Sequence, residues 1–124
     1  MDLNSCKVIP VLKVSDFKLA KQFYIDHMGF EVEWEEHVVD KSYSYMVISF
    51  NHIIFHMTDC DKEKMSTGKI FIEYSEICEY IKFLSARKCT FEVIDLEMFP
   101  WKSIGIQIED PFDHHLVFFE PEEV

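Results

Sequence analysis

The sequence predicts an α+β protein built of two paired βαβββ modules. The apolar patterns run in the order strand, helix and three strands, and this order occurs twice in 124 residues. The tripeptide Phe-Glu-Val also returns at corresponding places, at residues 30–32 and 91–93. Each module carries a helix on one face of its sheet only, so we expect the two modules to bury their open faces together, as curved, cup-like mixed sheets around a cavity.

These modules fit one domain over residues 1–124, with module 1 at about 7–57, a linker at 58–68 and module 2 at about 69–120. In module 1, residues 7–14 alternate as a strand. Ser15-Asp16 is an N-cap signal for a helix, and Gly29 is the C-cap signal that ends it. Residues 30–36 alternate strictly, which predicts Phe30, Val32 and Trp34 on one face and glutamates on the other. Strands at 43–50 and 52–57 complete the module.

In module 2, a polar connection is followed by a strand at 69–74, a helix at 76–86 and a strand at 90–96. A hairpin over residues 99–120 supplies the last two strands. Its first strand alternates, with isoleucines on one face, and its second is apolar on both faces, as expected between a helix and a cavity. The turn between them is expected at Asp110-Pro111.

The amino-acid composition restricts the kinds of molecule that the protein is expected to bind. There are 12 Lys and Arg against 23 Asp and Glu, a formal charge of −11, which repels phosphate backbones and argues against nucleic acid. Such a charge favours a cationic ligand, although acidity also serves solubility alone. Aromatic residues make up 15% of the chain, and some of their rings are expected to line a pocket or interface.

The sequence also indicates a cytoplasmic location. No signal peptide opens the chain, and no apolar run approaches the roughly 20 residues of a membrane span. The cysteines are widely separated and lack metal-binding or disulfide spacing, so free thiols are expected. They are Cys6, Cys60, Cys78 and Cys89.

Several short segments, in order, resemble the glyoxalase, bleomycin resistance and extradiol dioxygenase superfamily, also called the vicinal oxygen chelate fold. Among its members the chain is most similar to bleomycin resistance proteins. The segments are PVLKVSD at 10–16, FY at 23–24, MGFEV at 28–32, FH at 55–56, PW at 100–101 and DP at 110–111, with His114 and Leu116 after them. The chain departs from many relatives at Phe112-Asp113-His114, where they have Asp-Gly-Asn, so the turn is expected to differ and His114 to lie in it or outside the cup.

The resemblance implies a site for a divalent metal on four inward positions of the first, fourth, fifth and eighth strands. Carried over by the motifs, these positions are Ile9, Ile54, Lys69 and Val117. None is a usual ligand for such a metal, which needs imidazole nitrogen or carboxylate oxygen. We therefore expect no metal, no cofactor and no catalytic residue at that place, and a binding cup instead.

The resemblance to bleomycin resistance proteins further implies a homodimer that sequesters a small molecule, cationic or aromatic or both. A cationic glycopeptide antibiotic is one such molecule, which would make the protein an antibiotic resistance factor. Trp101 stands at the family's tryptophan position, where its ring could stack on a flat ligand, and Gly105 would let a ligand approach the backbone. The full set of candidate ligand-binding residues is Trp34, Tyr45, His56, Trp101, Ser103, Gly105, Gln107, His115 and Phe119.

Two other interpretations stay open at this point. One is a metal-dependent lyase or dioxygenase of the same superfamily with displaced ligands such as His56, His115 and Glu109. The other is an interaction module whose cup is filled by its own side chains. The metal-free binder is favoured over the enzyme.

Overall fold

The computed structural model describes residues 7–38, 43–60, 68–98 and 101–121, of which residues 38, 95–98, 101–104 and 121 are described by their backbone alone. Module 1 contains two helical segments, α1 (Phe17–Lys21) and a π-helix that continues it over Gln22–His27. Its strands are β1 (Val11–Lys13), β2 (Glu31–Val38), β3 (Tyr43–Phe50) and β4 (Ile53–Thr58). Module 2 contains β5 (Lys69–Glu73), α2 (Ile77–Ala86), β6 (Glu92–Met98), β7 (Trp101–Glu109) and β8 (His115–Pro121).

The strands form two four-stranded mixed sheets with the same topology. Sheet A has the order β1-β4-β3-β2 and sheet B the order β5-β8-β7-β6. In each sheet the first strand of the module pairs in parallel with the last, and the other pairs are antiparallel. The repeated βαβββ order and the α+β class predicted from the sequence are confirmed.

The first helix begins and ends where its sequence signals predict. The Asp16 side chain accepts a hydrogen bond of 3.1 Å from the backbone N–H of Leu19, as an N-cap residue does. At the other end the backbone N–H of Met28 donates to the carbonyl of Phe23, five residues back, which is the π-helical pattern. Gly29 then adopts a φ of +90°, a conformation that glycine reaches without the steric cost that other residues bear.

The two modules pack through the sheet faces that carry the helices, here called the inner faces. Tyr24 of the first helix packs edge-to-face on Phe55 of β4 and reaches across the seam to Asp110. In return, Tyr80 of α2 contacts Phe118 of β8 and Phe50 of β3. The inner-face residues of both modules therefore form one continuous core.

The opposite faces of the two sheets, here called the outer faces, are only partly covered, with Val117 and Phe119 of sheet B buried there. Large apolar side chains are exposed there, with Val11 51% and Phe71 50% accessible. The sequence predicts that modules bury their open faces together, within one chain or across a dimer; within this chain the helix-covered faces meet instead. An enclosed cup between a sheet A and a sheet B would need a second copy.

One strand departs from its predicted alternation. The register of β2 against β3 shifts between Val32 and Trp34, so that Glu33 is an extra residue in a β-bulge. Trp34 is paired with Val47 of the outer face, whereas Val32 is paired with the buried Ile48. The prediction that Trp34 shares a face with Val32 is therefore wrong.

Candidate ligand-binding faces

The outer face of sheet A presents a row of side chains across all four strands. In register, Trp34 of β2 lies beside Val47 of β3, then His56 of β4 and Val11 of β1. Tyr45 stands in the next row, and its hydroxyl lies 2.8 Å from Nδ1 of His56. This contact fixes the imidazole ring from one side, while the ring stays half-buried.

The outer face of sheet B carries a row of polar and charged side chains. His115 lies between Glu109 of β7 and Lys69 of β5, and the next row pairs Gln107 with Val117. The Gln107 amide donates to Nδ1 of His115 at 3.3 Å, so each outer face holds a histidine against a polar side chain of the neighbouring strand.

An apolar strip completes the outer face of sheet B. The ring of Phe71 meets that of Phe119 edge-to-face, with centroids 6.2 Å apart. Gly105 is paired with Phe119 and is buried, which leaves the backbone of β7 without a side chain at this point of the face.

The structure divides the predicted site residues into two groups. Trp34, Tyr45 and His56 come together on sheet A. Gly105, Gln107, His115 and Phe119 come together on sheet B. The helices separate the two groups within one chain. The side chains of Trp101 and Ser103 lie outside the described residues.

The four positions that the resemblance assigns to a divalent metal do not offer a metal site. Ile9 and Ile54 lie at the outer face of sheet A, beside a groove of about 490 Å³. Lys69 is exposed and Val117 is fully buried on sheet B. Three alkyl side chains and an ammonium group do not supply the nitrogen or oxygen donors that a divalent cation requires. Among the described residues, no group of three or more His, Cys, Asp or Glu side chains could hold a metal ion.

His114 lies in the turn between β7 and β8, one of its two expected places, but its side chain is buried. It is 3% exposed, and its Nε2 donates a 2.8 Å hydrogen bond to the carbonyl of Lys13 in the other module. The reason is the turn itself, where both backbone N–H groups of Phe112 and His114 donate to Oδ1 of Asp110. This turn directs the imidazole inward, toward the seam.

Some residues of these faces are not among the site residues predicted from the sequence. Phe71 is half exposed on sheet B, and its parity with Lys69 along β5 was a signal that could have placed it there. A groove of about 340 Å³ at the end of the same face was also missed. It is lined by Thr90, Phe91, Glu92, Gln107, Glu109, Asp110 and Pro111.

Solved structures share this architecture. A glyoxalase/bleomycin resistance protein/dioxygenase from Alicyclobacillus acidocaldarius superposes with a TM-score of 0.76 at 14% identity, over 99% of this chain and 96% of that one. A bleomycin-binding protein complexed with bleomycin gives a TM-score of 0.72 at 13% identity, over 95% and 100%. An antibiotic binding protein from Streptomyces gives 0.70 at 16% identity, over 92% and 93%.

At these identities the structural likeness establishes the fold and nothing finer. Comparison with curated proteins gives no match. No helix in the described part of the chain has the length and apolar content needed to cross a bilayer. A family model described as a glyoxalase superfamily protein matches residues 2–124, and since the match spans nearly the whole sequence, the chain belongs to the glyoxalase superfamily.

Proposed function

We propose that this protein is a homodimer that binds and sequesters a small organic molecule without a metal ion. The observation that carries the proposal is the pair of partly open outer faces, each with exposed apolar side chains and a held histidine. A soluble domain rarely leaves such faces uncovered unless they bind something.

A second copy would turn the two faces into one cavity. The exposed apolar residues Val11 and Phe71 lie on β1 and β5, which are edge strands of their sheets. If β1 of one protomer approaches β5 of its partner, these side chains become buried and the two outer faces line a common cup. The aromatic face with Trp34 and the face with Gly105 and Gln107 would then come from different chains.

Sequestration, rather than catalysis, agrees with the chemistry of this cup. The four positions that the resemblance assigns to a metal hold three alkyl side chains and an ammonium group, which are not ligands for a divalent cation. Binding alone lowers the free concentration of a ligand when the protein is abundant and the dissociation constant is below that concentration.

The ligand is expected to be cationic, aromatic or both. The charge of −11 attracts cations, and the rings on sheet A offer surfaces for stacking. A cationic glycopeptide antibiotic satisfies both conditions, and the similar fold of a protein described as bleomycin-binding supports testing one first. With such a ligand the protein would confer antibiotic resistance in the cytoplasm.

The test combines three measurements on one purified sample. Sedimentation velocity should show a dimer, elemental analysis should show no stoichiometric divalent metal, and calorimetric titration with bleomycin and other cationic aromatic compounds should find a saturable ligand. A monomer, or a chain that binds none of the panel, would contradict the proposal.

One observation favours a second candidate, a metal-dependent lyase or dioxygenase. Glu109 and His115 are direct neighbours across β7 and β8, and His56 of a second copy could join them in the composite cup. A stoichiometric metal that is lost when His115 is replaced by Ala would support this enzyme and overturn the metal-free binder.

A further inference from the structure

The β-bulge at Glu33 changes which side chains stand beside Trp34. Before the bulge Glu31 is paired with Ser49, and after it Glu36 is paired with Tyr45, both positions of the outer face. The Ser49 hydroxyl donates to Oε1 of Glu33 at 2.5 Å, which holds this carboxylate on the same side. In a regular strand the Trp34 indole would lie on the face opposite the glutamates. Because of the bulge, it shares the outer face with Glu31, Glu33 and Glu36.

The rings beside these carboxylates form an open corner. Trp34 is 48% exposed, and its ring centroid lies 6.2 Å from that of Tyr45 with the two planes 60° apart. His56 then meets Tyr45 edge-to-face at 5.4 Å. Because the two larger rings are tilted rather than stacked, the indole keeps an accessible face toward the solvent.

The charges around this corner are unbalanced. Glu31, Glu33 and Glu36 are exposed, whereas the carboxylates of Glu35 and Glu79 pair with Lys21 and Lys82. Glu35 points to the inner face, where Lys21 binds it at 2.7 Å. Lys13 lies on β1 in the same register row as Tyr45 and Glu36, two strands away from Tyr45.

We propose that this corner, made of Trp34, Tyr45 and Glu36, binds an alkylated ammonium group. Tryptophan is the best aromatic partner for a cation, and a neighbouring carboxylate adds Coulomb attraction. An alkylated ammonium also carries apolar surface that suits the rings, whereas a metal ion needs a convergent set of ligands that the described residues lack. The inference deepens the proposed function and rests on it for the statement that this face is the ligand-binding one.

The test compares choline with its neutral isostere 3,3-dimethylbutan-1-ol. The full chain has two tryptophans, so its NMR spectrum has two indole N–H signals, which a W101F sample assigns. Choline should shift the Trp34 signal saturably, and the neutral alcohol should bind about fivefold more weakly, the ratio expected for an exposed cation–π contact. Glu36→Gln should weaken choline binding several-fold and reduce its dependence on salt.

Glu35→Gln is the matched control, since it removes the same charge from the next residue, on the opposite face. It should leave choline affinity unchanged. Equal binding of choline and the alcohol, no shift of the Trp34 signal, or equal effects of Glu35→Gln and Glu36→Gln would each overturn the inference. A dimer that binds an aromatic ligand but not choline overturns this inference alone, whereas a monomer that binds choline overturns the proposed dimer and leaves the corner intact.

Discussion

The hydroxyl of Tyr24 donates a 2.6 Å hydrogen bond to Oδ2 of Asp110, which lies 86 residues further along the chain. Both side chains are buried, and the other carboxylate oxygen of Asp110 accepts two backbone N–H groups. The contact joins the helix of module 1 to the β7–β8 turn of module 2. It therefore holds the two outer faces in their fixed relation, back to back.

Removing this hydroxyl should destabilise the protein at neutral pH. Tyr24→Phe keeps the ring packing and deletes a hydrogen bond to a charged group, with an expected loss of about 2 kcal/mol in the free energy of unfolding. Urea denaturation measures this loss. In a double-mutant cycle with Asp110→Asn, the two substitutions should be strongly non-additive, and additive effects would show that the contact contributes little.

The same tyrosine predicts sensitivity to alkali. Burial, the negative charge of Asp110 and the hydrogen bond to it all raise the pKa of Tyr24 well above its usual value, and burial likewise raises the pKa of Tyr80. A phenol whose pKa is higher in the folded state contributes stability that is complete below the unfolded pKa of about 10 and is lost as the pH rises beyond it. The free energy of unfolding should therefore fall above about pH 10, and less steeply in Tyr24→Phe than in the parent chain.

Gly29 is predicted to resist substitution for a geometric reason. Its φ of +90° is strained for any residue with a β-carbon, and such an atom would lie 2.6 Å from Cζ of Phe83. Gly29→Ala should cost about 1–2 kcal/mol of stability, measured by thermal or urea unfolding. Gly68→Ala is the matched control, because its β-carbon would meet nothing within 4 Å, and it should be neutral or slightly stabilising. Equal effects at both positions would contradict the argument.

The exposed apolar side chains of the outer faces predict where the proposed dimer should be sensitive to charge. Phe71→Asp places a carboxylate in the middle of the proposed contact, and it should convert the dimer into a folded monomer, seen by sedimentation velocity and circular dichroism. Val93 is 65% exposed but is paired with the buried Ile106 of the inner face, so Val93→Asp should leave the dimer intact. A dimer that survives Phe71→Asp would exclude this part of sheet B from the interface.

Local patterns predicted the elements well because each is encoded within a few residues. The alternation in β7 placed Ile106 and Ile108 in the core and Gln107 on the opposite face, as the structure has them. The bulge in β2 left no such signal, since one extra glutamate among others changes the pairing without changing the pattern. The pattern also did not indicate which sheet faces meet. That depends on contacts between residues far apart in the sequence, such as Tyr24 and Asp110.

The described cysteines should differ sharply in reactivity. Cys78 is exposed on α2, whereas Cys89 is 7% exposed and burial raises the pKa of its thiol. Both effects lower the rate at which Cys89 reacts, since the thiolate is the nucleophile and the reagent must reach it. In the native protein at pH 8, a maleimide should label Cys78 at least about tenfold faster than Cys89, as measured by mass spectrometry of the digested peptides. Unfolding in urea should abolish the difference, and equal rates in the native protein would show that Cys89 is not protected by burial.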